Sequence, residues 1–126
     1  MKFAQSSLLL FVILSFSSFT SPAVIRRQDI KETRRLNALD AIALNKSFES
    51  LASDSTCDPT TQANACVKGE FAQCSGGKFV STKCNTGLTC AAVPLVNKRG
   101  TSILCDTAAD RDARINDALG TPPPKP

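Results

Sequence analysis

Residues 70–84, with the sequence EFAQCSGGKFVSTKC, contain the pattern that decides the fold. Two strand-like runs, 70–74 and 78–84, flank the segment SGG at 75–77. Glycines between two such runs are typical of a β-hairpin turn, because glycine adopts positive φ angles without steric cost. This stretch therefore predicts an antiparallel hairpin.

The length of the loop decides which side chains share a face, because successive residues of a strand point to opposite sides. We favour a three-residue loop, 75–77, since it unites Cys74, Val80 and Cys84 in the interior and gives Gly77 the left-handed position. A two-residue loop would separate the two aromatic rings. With the three-residue loop, the other face carries the rings among hydrogen-bonding groups: Phe71, Gln73, Phe79, Ser81 and Lys83.

This second face is the candidate carbohydrate-binding site. Aromatic rings flanked by amide, hydroxyl and ammonium groups suit the apolar face and polar rim of a pyranose ring. The alternative is that one or both rings, such as Phe71, cover a small core against Leu36 or Leu39 of a preceding helix.

All six cysteines lie in residues 57–105. An even number at this density, in an oxidising compartment, indicates three disulfides rather than free thiols. The sequence has no Cys-x-x-Cys pair and no histidine, which argues against a zinc site. About 50 residues bury too little apolar surface to fold alone, so bridges worth about 2–4 kcal/mol each are expected to decide whether the unit folds.

Further along the chain, residues 88–93 and 101–106 predict a second hairpin, connected through 94–100. The connection contains the basic pair Lys98-Arg99. This pair is either a solvated turn or a second processing site, across which a disulfide would hold the two pieces together.

A helix is predicted on each side of the hairpins. Residues 28–53 lack Gly, Pro and Cys and carry apolar residues mostly three, four and seven apart, which indicates an amphipathic helix. It contains the sequon Asn45-Lys46-Ser47, whose helical position disfavours glycosylation. A second, short helix begins after Thr107 and ends at Gly120, and the tail 121–126 is expected to be extended.

The N-terminal segment has the features of a secretory signal peptide, with an early lysine, an apolar run and small residues before a cleavage point after Ala23. The run is about a dozen residues against the ~20 needed to span a bilayer, so no membrane span is expected. The pair Arg26-Arg27 follows, where kexin-type proteases would remove a short propeptide. The mature chain would then begin at Gln28.

Removal of residues 1–27 would change the charge balance. The chain has 15 basic and 11 acidic residues, for a formal net charge of +4, and the removed segment holds three of the basic residues and no acidic one. The mature net charge would be +1, which argues against nucleic acid as a partner. Of seven phenylalanines it would keep Phe48, Phe71 and Phe79, in a chain without Trp or Tyr.

Composition also argues against an enzyme. Without histidine there is no imidazole acid–base chemistry, and oxidised cysteines cannot serve as nucleophiles. The densest acids, Asp106, Asp110 and Asp112, fall at a strand end and on a helix predicted to be solvated, with no cleft to shift their acidity. We predict no catalytic residue, no cofactor and no metal.

The expected fold is a small disulfide-rich β structure of two short antiparallel hairpins and three disulfides, preceded by an amphipathic helix and followed by a short helix. One domain is expected at this length. The predicted divisions are signal peptide 1–23, dibasic propeptide 24–27, helix or linker 28–56, cysteine-rich module 57–106, and short helix with proline-rich tail 107–126.

The cysteine spacing, Cys-x8-Cys-x7-Cys-x9-Cys-x5-Cys-x14-Cys, occurs with FAQC at 71–74, GKFV at 77–80 and CNTGLTC at 84–90. In these motifs, residues 57–106 resemble the family 19 carbohydrate-binding module, the chitin-binding tail of fungal chitinases. The whole layout is similar to small secreted proteins of filamentous fungi that carry this module alone. The resemblance implies an extracellular, chitin-binding fungal protein.

A looser similarity implies a disulfide pairing. The run Phe-x-x-Cys-x-x-Gly, then Cys-x-x-Gly-Leu and Cys105-Asp106, resembles the peritrophin-type chitin-binding domain, in which the first cysteine pairs with the third and the fourth with the Cys-Asp cysteine. Six cysteines by themselves allow fifteen pairings. The resemblance implies these three bridges: Cys57–Cys74, Cys84–Cys105 and, from the two left over, Cys66–Cys90.

Two functions follow as expectations. The first is a secreted, monomeric, non-catalytic protein that binds chitin or a related N-acetylglucosamine polymer, with the cell wall as an expected place of association. The second is a secreted cysteine-rich effector or cell-wall interaction protein, in which the module is a scaffold for a protein partner.

Overall fold

The computed structural model describes residues 22–121, with side chains from Arg26 onward. Most of the predicted signal peptide, residues 1–21, and residues 122–126 of the predicted tail lie outside the described residues. The described chain forms, in order, helix α1 (Pro22–Phe48), strands β1 (Asn64–Val67), β2 (Glu70–Ser75), β3 (Lys78–Thr82), β4 (Thr89–Pro94) and β5 (Thr101–Asp106), and helix α2 (Ala108–Leu119).

The strands form two small antiparallel sheets, one with the order β1-β2-β3 and one with the order β4-β5. Both predicted hairpins are therefore confirmed, together with the helix on each side of them. The helix α2 begins as expected, because the Thr107 side chain accepts a hydrogen bond from the Asp110 N–H at 3.1 Å. It ends at Gly120, which has a φ of 79°.

Helix α1 differs from its predicted bounds at both ends. It runs without a break through Arg26 and Arg27, and it ends at Phe48 rather than at residue 53. At the C-terminal end, the Ser47 and Ser50 hydroxyls donate to backbone carbonyls three residues earlier, which competes with continued helix. The chain then turns so that Leu51 packs against the three-stranded sheet.

Two hydrophobic cores result, and Phe48 packs against both. The first core, between α1, α2 and β4, consists mainly of alanines. The second lies under the three-stranded sheet and is built around Phe79. The buried members of the first core are Ala38, Ala41, Ala92, Ile115 and Ala118, and those of the second are Ala65, Val67, Ala72 and Phe79.

Three disulfides connect these parts, and no cysteine among the described residues is free. The bridges are Cys57–Cys74, Cys66–Cys90 and Cys84–Cys105, the same pairs that the peritrophin resemblance implies. Cys66–Cys90 joins β1 to β4, and Cys84–Cys105 joins the segment after β3 to β5. Cys66–Cys90 therefore joins the two sheets directly, and Cys84–Cys105 adds a second link to β5 just after the end of β3.

Helix α1 also binds the free edge of β4 through a side chain. The Asn45 amide donates to the Ala92 carbonyl at 2.9 Å and accepts from the Ala92 N–H at 2.7 Å, as a neighbouring strand would. The amide nitrogen of the sequon is thus engaged in the folded protein.

Candidate functional site

The first hairpin has a two-residue loop, so the expected three-residue loop is wrong. Ser75 pairs with Lys78 and Cys74 with Phe79, which leaves only Gly76 and Gly77 in the turn. Their φ angles are 61° and 82°. Positive φ at both central residues is what the common type I′ hairpin turn requires, and two consecutive glycines meet that requirement without strain.

This register separates the two rings that the sequence reasoning placed together. Phe79 and Ser81 point inward, on the face that carries Ala72 and Cys74, whereas Phe71 and Gln73 point the other way. Phe79 is only 5% exposed and packs with Phe48 and Leu51 in the second core. One ring therefore covers a core, as in the alternative interpretation. This ring is Phe79, and its partners are not the expected Leu36 or Leu39.

Ser81 and Lys83, the two predicted polar residues on the side of Phe79, differ from each other in exposure. The Ser81 hydroxyl is buried and has no hydrogen-bond partner among the described residues. Lys83 is exposed and follows the end of β3, just before Cys84. Of the five predicted residues, Phe71 and Gln73 therefore lie together on a solvent-facing surface.

We define the outer face as the side of the three-stranded sheet opposite Phe79. The cross-strand neighbours on this face follow from the strand pairing: Gln73 lies between Asn64 and Val80, and Phe71 lies opposite Thr82. Phe71 is partly exposed, and Val80 is 58% exposed. The exposed or partly exposed members of the outer face are Asn64, Phe71, Gln73, Ser75, Lys78, Val80 and Thr82.

The outer face combines apolar and hydrogen-bonding groups, and none of its members named above is acidic. Phe71 and Val80 supply apolar surface, and the amides of Asn64 and Gln73 both donate and accept hydrogen bonds. The backbone at Phe71 is held in place because Phe71 pairs with Cys66, which is bridged to Cys90 in the second sheet. Such a surface can bind a ligand that has both C–H faces and hydroxyl or amide groups.

Sequence reasoning missed five members of this face, and it placed one of them, Val80, in the interior. The five are Asn64, Ser75, Lys78, Val80 and Thr82. The signal that could have found them is Gly76-Gly77, because a two-residue loop assigns Val80 and Thr82 to the side of Gln73 and Phe71. The side of Asn64 depends in addition on the short turn Lys68-Gly69 between β1 and β2.

The acidic residues considered for catalysis lie elsewhere, at the end of β5 and the start of α2. Asp110 accepts a hydrogen bond from Arg114 Nε at 2.6 Å, and this bond, with the charge of Arg114, lowers the pKa of the Asp110 carboxyl. Asp106 Oδ2 lies 3.5 Å from the same Nε. Asp110 and Arg114 therefore form an ion pair across one turn of α2.

The chain was compared with family models, with curated proteins and with solved structures, and none of them matches it. Among residues 22–121, no helix is both long and apolar enough to cross a membrane. The same part of the chain has no cluster of three or more Cys, Asp or Glu side chains arranged to hold a metal ion.

Proposed function

We propose that this protein is a secreted, non-catalytic and monomeric binder of chitin or a related N-acetylglucosamine polymer, and that it binds through the outer face. The observation that carries the proposal is the placement of the partly exposed Phe71 ring beside the amides of Gln73 and Asn64. A pyranose ring has an apolar C–H face for the phenyl group, and its hydroxyl and acetamido groups match the two amides.

The frame around the outer face supports the same function. Residues 57–105 are cross-linked by three disulfides, and the bridge at Cys66 fixes β1 next to Phe71. A rigid surface loses little conformational entropy when a ligand binds, so a modest contact area can suffice. The resemblance of residues 57–106 to the family 19 carbohydrate-binding module points to chitin as the polymer.

A retention assay on insoluble chitin tests the proposal, with β-glucan as the competing polymer and with protein secreted from a host that forms disulfides. Phe71→Ala should weaken binding about tenfold, because the lost apolar contact is worth about 1.4 kcal/mol. Phe71→Tyr keeps a ring and should retain binding. Ile42→Ala, which trims an exposed side chain on α1, is the control and should change nothing.

Two results would overturn parts of the proposal. A wild-type protein that is not retained on chitin would remove the function. A protein that binds chitin equally well with and without the Phe71 ring would remove the outer face as its site. Thermal unfolding of each variant shows whether a loss of binding reflects a loss of fold.

A protein partner is the second candidate function, with the module as a secreted scaffold. It is favoured by large apolar side chains that α1 leaves exposed, Ile30, Leu39 and Ile42, each 43% exposed. Failure of the wild type on chitin, together with loss of a defined protein partner on Ile42→Asp, would select this function over the first.

A further inference from the structure

The chain contains three pairs of adjacent basic residues, Arg26-Arg27, Arg34-Arg35 and Lys98-Arg99. An endoprotease that cleaves after paired basic residues needs its substrate segment extended and reachable on both sides of the scissile bond. Cleavage of a folded protein therefore depends on how much structure must open around each pair. The three pairs differ strongly in this respect.

The loop that holds Lys98-Arg99 is fastened to α1 by one buried side chain. Asn37 has 0% exposure, and its amide nitrogen donates to the carbonyls of Leu95 and Lys98 at 2.9 and 2.8 Å. Its amide oxygen accepts from the Gly100 N–H and from Arg99 Nη1, both at 2.8 Å. The four contacts use both donors and the two acceptor positions of the amide.

These contacts fall on the bond that a protease would cleave after Arg99. The nitrogen of the Arg99–Gly100 peptide is the atom whose hydrogen points to Asn37. The Arg99 guanidinium, which the protease would have to bind, forms an ion pair with Asp40 at 2.6 Å. Cleavage would require that the loop leave α1 and that the buried Asn37 amide lose its partners, a costly step.

The pair Arg34-Arg35 lies in the middle of α1 and is also engaged. Arg34 Nε donates to the Val96 carbonyl at 3.2 Å, which fastens the same loop, and Arg35 forms two hydrogen bonds to Glu32 at 2.8 and 3.1 Å. To extend this segment, the helix would have to unwind across the buried Asn37.

Arg26-Arg27 begins the part of α1 whose side chains are described, and the first residues of that part lie outside both cores. Residues 26–32 are all exposed, and among the described side chains of the helix the first buried one is Asn37. Unwinding residues 26–32 therefore breaks local helical hydrogen bonds but removes no apolar side chain of that segment from a core. Such fraying is the least costly local unfolding that a helix offers.

We propose that the fold makes dibasic processing selective: a kexin-type endoprotease can cleave the folded chain after Arg27, while the Asn37 amide protects the bond after Arg99. The reaction is a hydrolysis, in which water cleaves the peptide bond and leaves a carboxylate on the arginine and an amino group on the next residue. The selectivity does not depend on what the outer face binds.

The test uses the full oxidised chain, purified from a secretory host that lacks its own kexin-type protease, and a recombinant kexin-type endoprotease as the probe. Wild type should be cleaved after Arg27 and not after Arg99. Asn37→Ala should raise the rate of cleavage after Arg99 at least tenfold. Cleavage there gives one species, heavier by one water, that separates into two chains only after reduction, because Cys84–Cys105 holds the pieces together.

Matched variants separate local opening of the loop from general loss of stability. Asn45→Ala removes an amide that also binds the β4 backbone but makes no contact with residues 95–100, and it should leave cleavage after Arg99 unchanged. Asn37→Asp keeps an acceptor for Gly100 but loses both donated bonds, so its cleavage rate should lie between those of wild type and Asn37→Ala.

Three outcomes would overturn the proposal. The first is wild-type protein cleaved after Arg99 as fast as after Arg27, and the second is wild-type protein that resists cleavage after Arg27. The third is an equal rise in cleavage after Arg99 for Asn37→Ala and Asn45→Ala, which would assign the effect to global unfolding.

Discussion

The two cores of the molecule are built from side chains of opposite size. Between α1, α2 and β4, the buried residues are four alanines and Ile115, so the helices and the strand approach closely. Under the three-stranded sheet, one large ring, Phe79, fills the space between small residues. Close-packed interiors respond to any change of volume, so the first region should be sensitive to enlargement and the second to truncation.

The two regions are also held in different ways. In the helical region, side-chain amides of α1 bind the backbone of the second sheet and its loop, as Asn37 and Asn45 show. The three-stranded sheet relies on covalent links, since Cys57–Cys74 joins the segment before β1 to β2 and Cys66–Cys90 joins β1 to the second sheet. A small sheet with one exposed face has few other means of stabilisation.

The largest expected effect is truncation of Phe79. Phe79→Ala should lower the free energy of unfolding by about 3–5 kcal/mol, because the ring is buried and its loss leaves a cavity. Phe71→Ala, on the outer face, should cost far less. Chemical denaturation of both variants measures the difference, and equal losses would show that the two rings are not on opposite faces.

A smaller effect is expected from enlargement in the alanine core. Ala41→Leu should destabilise the protein by about 1–3 kcal/mol, because the added carbons have no space beside Ala92 and Ala118. Ala43→Leu, two residues along the same helix on its exposed side, is the matched control and should stay within about 0.5 kcal/mol of wild type. If Ala41→Leu were tolerated as well as the control, the close approach of α1 to β4 would be wrong.

The smallest effect concerns one end of the helical region. Thr107→Ala removes the hydroxyl that accepts from the Asp110 N–H and should cost about 1 kcal/mol, whereas Thr107→Ser keeps the bond and should be nearly neutral. Hydrogen exchange should show faster exchange in the first turn of α2 and unchanged protection in β2. Loosening of both regions together would mean that they unfold as one unit.

Local sequence patterns predicted most of the secondary structure. The Gly-Gly turn and the capping pattern at Thr107 act over a few residues, and the density of cysteines is a property of composition. The hairpins, the presence of disulfides and α2 agree with the predictions. The candidate site was predicted only in part. Phe71 and Gln73 share the outer face, but Phe79 and Ser81 do not, because a change of one residue in the loop moves a whole strand to the opposite side.

The C-terminal end of α1 could not be predicted from periodicity, because the apolar spacing continues past the point where the helix ends. Leu51 fits the helical stripe in sequence, yet it packs under the three-stranded sheet after the chain turns at Ser50. The helix ends where the second core, formed by residues distant in sequence, competes for that side chain.

The sequence by itself determined a small disulfide-rich β fold between two helices, since its turns, caps and cysteines are local or compositional signals. Only the tertiary structure decided which ring is buried, which face is open, and that Asn37 closes the loop at Lys98-Arg99. These features depend on strand register and on contacts between residues about 60 positions apart. Such contacts form only when the whole chain is packed, and no short segment encodes them.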